Sequence, residues 1–225
     1  MKLAIVIPAH NEEKTITNVV RDVSTYGVPI VVDDGSIDRT SILAEQMGAV
    51  VLRHSTNLGY DAAIETGFAH AANISANIVV TFDADGQHDA KLVGEIYKIL
   101  SKGNVSLVIG IRSKSARLAE LIFNKYVYFR YGVPDILCGL KGYRVDLYNE
   151  YGRFDGTKSI GTGLALSALR KQKGFAKLPV AIRSRNGKPR LGSVFYSNFQ
   201  ILRAFFIALK TDLKKKDRTL VSIKR

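Results

Sequence analysis

Short runs of Val, Ile and Leu alternate with stretches whose apolar residues recur every three or four positions, and this alternation fills the first 110 residues. Residues 3–8, 29–33, 49–53, 78–83 and 106–111 are almost continuously apolar. That pattern predicts strands covered on both faces, as in a parallel sheet. Between them, Ile16, Val19, Val20 and Val23 fall at helical spacing within residues 12–26. Residues 38–48, 61–72 and 89–102 also predict helices, with Gly48 and Gly103 standing where a helix would stop. Strands alternating with helices in this way predict a doubly wound α/β layer.

The second half is less regular. Residues 117–131 predict a helix with Leu118, Leu121, Ile122 and Phe129 on one side and Arg117, Lys125 and Arg130 available for anions. Residues 193–209 predict another, with Phe195, Phe199, Leu202, Phe206 and Leu209 at steps of four and three, interrupted by Arg203. It is shorter than the ~20 apolar residues of a membrane span, so no transmembrane helix is predicted. The segment "KTDLKKKDR" follows at once. Such a helix suits a membrane surface carrying anionic lipid, and equally a core helix with a solvated tail.

The 225 residues, 46% of them hydrophobic, allow one sizeable domain or one domain with an appendage. The single cysteine, Cys138, excludes an intrachain disulfide framework and fits a reducing compartment. The start "MKLAIVIPAHNEE" does not read as a secretory leader, because its apolar run is short and polar chemistry follows directly. Net charge is +13, unevenly spread. Residues 1–110 hold 8 Lys and Arg against 13 Asp and Glu (−5), and residues 111–225 hold the other 25 against 7 (+18). The second half therefore faces something anionic: nucleic acid, anionic lipid or a phosphorylated ligand.

Polar residues cluster at one kind of place. Pro8 to Glu12, Asp33 to Ser36 and Asp83 to Gln87 each follow the carboxyl end of a predicted strand, where open α/β sheets bind ligands. Asp33 and Asp34 can accept hydrogen bonds from a base or ribose, with Gly35 permitting the tight turn; the other reading is an Asx-type turn that caps the helix at Asp38. Asp83 and Asp85 offer the hard oxygens that Mg²⁺ or Mn²⁺ requires beside a diphosphate; taken alone, the pair is equally a solvated turn. A nucleic-acid binder would need aromatics interleaved with basic residues along a groove. Tyr126, Tyr128, Phe129 and Tyr131 supply some, but that reading leaves the three acidic loops without a role, so no nucleic-acid partner is expected. A dinucleotide oxidoreductase would need G-x-G-x-x-G where this chain has "PAHNEE".

The segments "VIPAHNEEKTI", "VVDDGSIDRT", "NLGYDAAIETGFAHA", "FDADGQHD", "VIGIR" and "DILCGLKGYR" occur in an order and spacing that resembles inverting family 2 glycosyltransferases of the GT-A fold, most closely the dolichol-phosphate mannose synthase-like branch. The likeness is dense through Arg144 and resumes at "RNGKPRL". It implies a Rossmann-like, mostly parallel sheet with flanking helices over residues 1–192, divided into a nucleotide-sugar half (1–110) and an acceptor half (111–192). Residues 193–225 would form an amphipathic interface helix and basic tail. The implied reaction moves a sugar from a nucleotide-sugar donor (GDP-mannose, UDP-glucose or UDP-GlcNAc) to a polyprenyl (dolichyl) phosphate acceptor, with inversion and with Mg²⁺ or Mn²⁺. The implied place is peripheral, on the cytoplasmic face of a membrane, reached directly or through a membrane-protein partner. The alternatives are a sugar-hydroxyl acceptor in polysaccharide or glycolipid assembly, and a retired relative that only binds lipid or a partner.

Residue by residue, the resemblance implies that Pro8, His10, Glu12, Val32 and Asp34 surround the nucleotide, and that Asp83, Asp85 and Gln87 hold the metal and donor diphosphate with Ala84 lining the site. Arg112 would bind phosphate. Arg117 and Lys188 would meet the acceptor phosphate, and Arg185 and Arg190 would belong to a loop closing over the phosphates. Asp135 would position the acceptor or act as base. Gly139, Gly142 and Arg144 would shape an acceptor-side loop, Arg144 alternatively pairing with a buried carboxylate. His88 would start a helix or pack, and Cys138, where relatives often have serine, would be a partly buried packing residue. Three departures stand out: His10 replaces a common Tyr, Pro189 replaces a Ser, and Gly161-Thr162-Gly163 stands where many relatives carry glutamates. That shortage of carboxylates favours an acceptor that arrives already ionised.

Overall fold

The structure, a computed structural model, describes residues 1–113, 117–154, 159–181 and 194–223. The chain runs β1 (Leu3–Ala9), α1 (Ile16–Ser24), β2 (Val28–Asp33), α2 (Thr40–Gln46), β3 (Val50–Arg53), α3 (Tyr60–Asn73), β4 (Ile78–Thr81), α4 (Lys91–Ser101), β5 (Leu107–Arg112), α5 (Leu118–Tyr131), β6 (Lys141–Arg144), α6 (Val145–Tyr151), α7 (Gly163–Arg170), β7 (Phe175–Val180) and α8 (Val194–Ile223). The strands form one sheet in the order β3-β2-β1-β4-β6-β5-β7. All pairs are parallel except those of β6, which runs antiparallel to both β4 and β5.

Side chains of the central strands divide between two cores by simple alternation. In β1, Ala4 and Val6 join the cluster under α3, α5, α6, α7 and α8, whereas Leu3, Ile5 and Ile7 join the one under α1, α2 and α4. This two-sided burial explains why the strands read as continuous apolar runs. The apolar stripe of α1 is buried as its spacing predicts. Strand β4 ends at Thr81, sooner than the predicted Asp83, which frees Phe82 onward for the polar loop.

Strands β6 and β7 and helices α6 and α7 had no sequence expectation. The segment expected to be an acceptor-side loop around Gly139, Gly142 and Arg144 is in part the central antiparallel strand. Gly142 lies within β6, where a Cβ would come 2.1 Å from Ile96 Cγ2, so glycine is needed for α4 to pack on the sheet. Arg144 ends that strand and pairs with Asp146 at 2.9 Å, an exposed carboxylate rather than a buried one. Cys138 is fully rather than partly buried.

Helix α3 ties the two halves together. Its Asp61 accepts from the backbone N–H groups of Ile160 (3.0 Å) and Gly161, and its Glu65 accepts from Tyr148 Oη (2.7 Å) and the Phe154 N–H (2.6 Å).

Two findings concern the helices of the basic half. In α5 the face turned inward is Ala119, Glu120, Phe123, Asn124 and Val127, while Leu118 (72%) and Phe129 (83%) are among the most exposed large apolar side chains. In α8 the segment read as a basic tail continues the helix to Ile223, since it contains neither Gly nor Pro. α8 packs on α5, where Phe205 meets Phe123 and Tyr126 edge to face; it buries Ile201, Ala204 and Ala208, and leaves Phe199, Phe206 and Leu213 exposed beside Arg203, Lys210 and Lys214. A buried carboxylate anchors it: Asp212 accepts from Tyr126 Oη and from Arg170 Nε, both at 2.5 Å. Burial works to raise the Asp212 pKa, but the donors Tyr126, Arg170 and Tyr131 outweigh it and hold the carboxyl below its usual range. No described helix is long and apolar enough to cross a membrane.

Candidate functional site

The three polar clusters meet at the edge of the sheet where β1, β2 and β4 end. The first two are stitched together. His10 Nδ1 donates to the Asp34 carbonyl (2.9 Å), which fixes its proton on Nδ1, and its Nε2 accepts from Asn11 Nδ2 (3.2 Å). The Asn11 N–H donates to Ser36 Oγ (2.9 Å), and the Glu12 N–H to Thr40 Oγ1 (2.7 Å).

The two aspartates after β2 hold their own loops. Asp33 makes an Asx-type turn onto the Ser36 N–H (2.9 Å) and accepts from Ser41 Oγ. Asp34 accepts from His54 Nδ1, the Leu58 N–H and the Gly59 N–H, each at 2.8 Å. Glu12 is nearly buried and accepts from Thr15 Oγ1 (2.7 Å). Pro8, Val32 and Ala84 are buried, and the last two belong to the core clusters, so their side chains form the floor of this edge rather than its surface.

The third cluster is more open. Asp83, Asp85 and Gln87 are each half-buried. The Gln87 N–H donates to Asp85 Oδ1 (3.1 Å), turning the loop after β4. Asp83 Oδ2 lies 3.4 Å from Nε2 of the buried His88, whose Nδ1 has no hydrogen-bond partner among the described residues. Gly139 presses on the same carboxylate: a Cβ there would sit 2.2 Å from Asp83 Oδ2. Tyr60 joins the group, its ring against Gly161; burial and then the Asp83 charge push its phenol well above the usual range.

Among the described residues, no three His, Cys, Asp or Glu side chains converge as a metal cage. The donors at this edge are instead two carboxylates and an amide, all hard oxygen. This set fits a Mg²⁺- or Mn²⁺-type ion that completes its shell with water and substrate phosphate.

A fourth cluster lies at the end of β5. Arg112 and Asp135 form a bidentate pair, Nε to Oδ2 at 2.7 Å and Nη2 to Oδ1 at 2.9 Å, and the Arg112 N–H adds a bond of 3.1 Å to Oδ2. Glu120, almost fully buried, bridges Arg112 Nη2 and Arg117 Nη1 at 3.4 Å each. Asn124 donates to Asp135 Oδ1 (3.3 Å) and accepts from the Ile136 N–H (3.0 Å). Burial favours the neutral form of Asp135, but the hydrogen bonds and charge of Arg112 win and hold the carboxyl below the usual range. Its oxygens are committed to donors, so Asp135 suits positioning better than proton abstraction.

The structure thus assembles most of the residues singled out from sequence. Arg185, Lys188 and Arg190, with Pro189, lie outside the described residues. Sequence reasoning missed Glu120, Asn124, Tyr60, His54 and Lys141 as members of the site. For the first two a signal existed: they are polar residues four apart between the apolar positions of α5, so one face had to be both polar and packed.

The Glycosyl transferase family 2 profile matches residues 4–152. Over 132 residues the chain is 31% identical to UDP-N-acetylglucosamine–dolichyl-phosphate N-acetylglucosaminyltransferase of Methanococcus voltae, covering 50% of this chain and 53% of that one. Over 205 residues it is 28% identical to a dolichyl-phosphate hexose transferase of Haloferax volcanii, covering 84% and 86%. Against two of the curated relatives the chain spans only 64% and 53% of their length. A solved structure of glucosyl-3-phosphoglycerate synthase from Mycobacterium tuberculosis, in complex with Mn²⁺, UDP and glucosyl-3-phosphoglycerate, superposes with a TM-score of 0.73 at 22% identity, covering 92% of this chain and 79% of that one. The mixed seven-stranded sheet with flanking helices is therefore a GT-A fold, and the family match over well more than half of its length makes this chain a member of glycosyl transferase family 2.

Proposed function

We propose that the protein transfers a sugar from a nucleotide-sugar to a polyprenyl phosphate at a membrane surface, with inversion and with a divalent cation. The observation that carries the acceptor class is the state of Asp135. The carboxylate best placed to serve as base is held ionised and bonded by Arg112. A sugar hydroxyl would need a base to take its proton. A phosphate monoester is already ionised near neutral pH, because its second pKa is about 6.

In this reading Asp83, Asp85 and Gln87 hold the cation, which would neutralise charge on the departing diphosphate. Pro8, His10, Glu12, Val32 and Asp34 frame the nucleotide, with His10 held in one tautomer. Asp135 and Glu120 fix the plane of Arg112. Among the described residues nothing accepts from its Nη1, so that nitrogen is available to a phosphate oxygen. Arg117 extends the positive edge toward the acceptor, and the 185–190 loop with Arg185, Lys188 and Arg190 would add charge over the phosphates.

The outward apolar stripes of α5 and α8, flanked by Lys125, Arg130, Arg203, Lys210 and Lys214, support docking on an anionic bilayer at the cytoplasmic face. A division into a catalytic unit (1–192) and a membrane helix (193–225) follows the same logic, although α8 also closes the core over α5. Names of relatives that act on dolichyl phosphate support the acceptor.

The test is donor turnover. Purified protein, Mn²⁺ or Mg²⁺, a short polyprenyl phosphate and a panel of GDP- and UDP-sugars should yield one sugar-lipid product, abolished by EDTA and by Asp85→Ala. Metal-dependent nucleotide binding without product would overturn the acceptor assignment and favour a sugar-hydroxyl acceptor or a retired enzyme.

A further inference from the structure

One buried charge has no place in the chemistry above. Lys141 opens β6 in the middle of the sheet and is 3% exposed. Its Nζ donates to the Cys138 carbonyl at 2.5 Å, and that is the one hydrogen bond of its ammonium group among the described residues. An ammonium has three donors, and burying it with so few partners costs stability. Burial pulls its pKa below the usual amine range, opposed by the neighbouring Cys138 and by the Asp135 and Asp83 carboxylates. A methionine would fill the same space without that cost, so packing does not account for a lysine here.

The neighbouring bonds indicate what the lysine holds. Two successive carbonyls are pinned from below: Cys138 by Lys141 Nζ, and Gly139 by Thr81 Oγ1 at 2.6 Å. Thr81 and Lys141 are register partners of β4 and β6, so both pins are built into the sheet. The segment they fix presents the bare Cα of Gly139 against the Asp83 carboxylate. The same segment begins at Asp135, the partner of Arg112.

We propose that Lys141 is a positioning residue for the metal-binding edge. It fixes the Cys138–Gly139 backbone against Asp83. The role rests on the nucleotide-sugar reading, since it acts through the carboxylate that reading assigns to the cation. Lys141 is buried behind that segment and bonds its backbone, so its contribution is to preorganisation, as with other groups that orient metal ligands from outside the coordination sphere.

The experiment uses the full chain and needs no turnover. Free Mn²⁺ is followed by electron paramagnetic resonance during titration into protein plus UDP, beside a thermal melt of each variant. Lys141→Met should weaken Mn²⁺ uptake about tenfold or more, the range seen when such supporting groups are removed, while leaving Tm unchanged or raising it. A role confined to stability would do the opposite: lower Tm and leave Mn²⁺ affinity alone. Gly139→Ala provides the second variant, because its methyl must displace the Asp83 carboxylate, and it should weaken Mn²⁺ in the same direction. Mn²⁺ affinity within twofold of the parent in either folded variant overturns the proposal. If the unsubstituted protein takes up no Mn²⁺ with UDP or GDP, the nucleotide-sugar reading falls, and this role with it.

Discussion

The guanidinium of Arg112 meets the carboxylate of Asp135 edge to edge, with bonds of 2.7 and 2.9 Å, at the end of β5. Both groups are largely buried, so neither is a surface ion pair of little consequence. The pair fixes an arginine plane at the end of β5 and removes Asp135 as a base.

Replacing Asp135 by Asn should therefore destabilise the protein by about 3 kcal/mol, since it leaves a buried guanidinium without its counter-charge. The pH dependence has a definite sign. The folded carboxyl titrates below its unfolded value, so the pair's contribution is complete above about pH 4 and lost as pH falls through the folded pKa. Urea melts of parent and variant should differ by a constant amount from pH 5 to 8 and converge in stronger acid. A gap that closes between pH 5 and 8 would contradict the assignment.

Asp34 should behave as a structural clamp. Asp34→Ala would leave His54 and the N–H groups of Leu58 and Gly59 without their acceptor. A loss of about 3 kcal/mol is expected, from roughly 1–3 kcal/mol per unsatisfied buried group with partial rescue by water. Denaturant unfolding without ligand measures it, and no loss of stability would mean the loop finds other partners.

Asp85→Ala, by contrast, should keep Tm within a few degrees and lose metal-dependent UDP binding in calorimetry, because its side chain is half-buried and faces the open edge. Retained binding would remove Asp85 from the metal site.

For the membrane face, point changes are more informative than truncation. Deleting α8 would uncover the apolar surface that Ile201, Ala204 and Ala208 cover. Phe129→Asp with Phe206→Asp alters only exposed positions. Each buried aromatic contributes about 1.5–3 kcal/mol, so co-sedimentation with anionic vesicles should fall at least tenfold while Tm stays constant. Equal sedimentation of parent and variant would rule this face out as the docking surface.

Cys138 should resist thiol reagents in the native state. Its thiol is fully buried and pushed up to about 11, chiefly by burial. Reaction with a disulfide reagent at pH 8 should await unfolding, and prompt native labelling would show that the segment before β6 opens.

Much of the first 110 residues is legible in the amino-acid sequence alone. Strands covered on both faces are continuous in Val and Ile, and helices on a sheet are amphipathic, so the first five strands and four helices announce themselves within short windows. The three polar clusters follow those strands directly, so their placement at one edge is implied by the parallel order. The rest of the chain is not legible in the same way. Strand β6 spans only Lys141–Arg144, contains a glycine and a buried lysine, and exists because β4 and β5 leave a gap that it fills antiparallel. Nothing local in "KGYR" encodes that.

What the sequence determined by itself is the alternation of elements, the identity of the chemistry-bearing residues and the asymmetry of charge, all carried by neighbours along the chain. What the tertiary structure decided is which of those residues face each other. Arg112 and Asp135, Asp212 of α8 and Tyr126, and Gly139 against Asp83 are each pairs distant in sequence or fixed by a neighbouring strand. Their energies come from burial and from the geometry of approach, which have no value until the chain has closed around them.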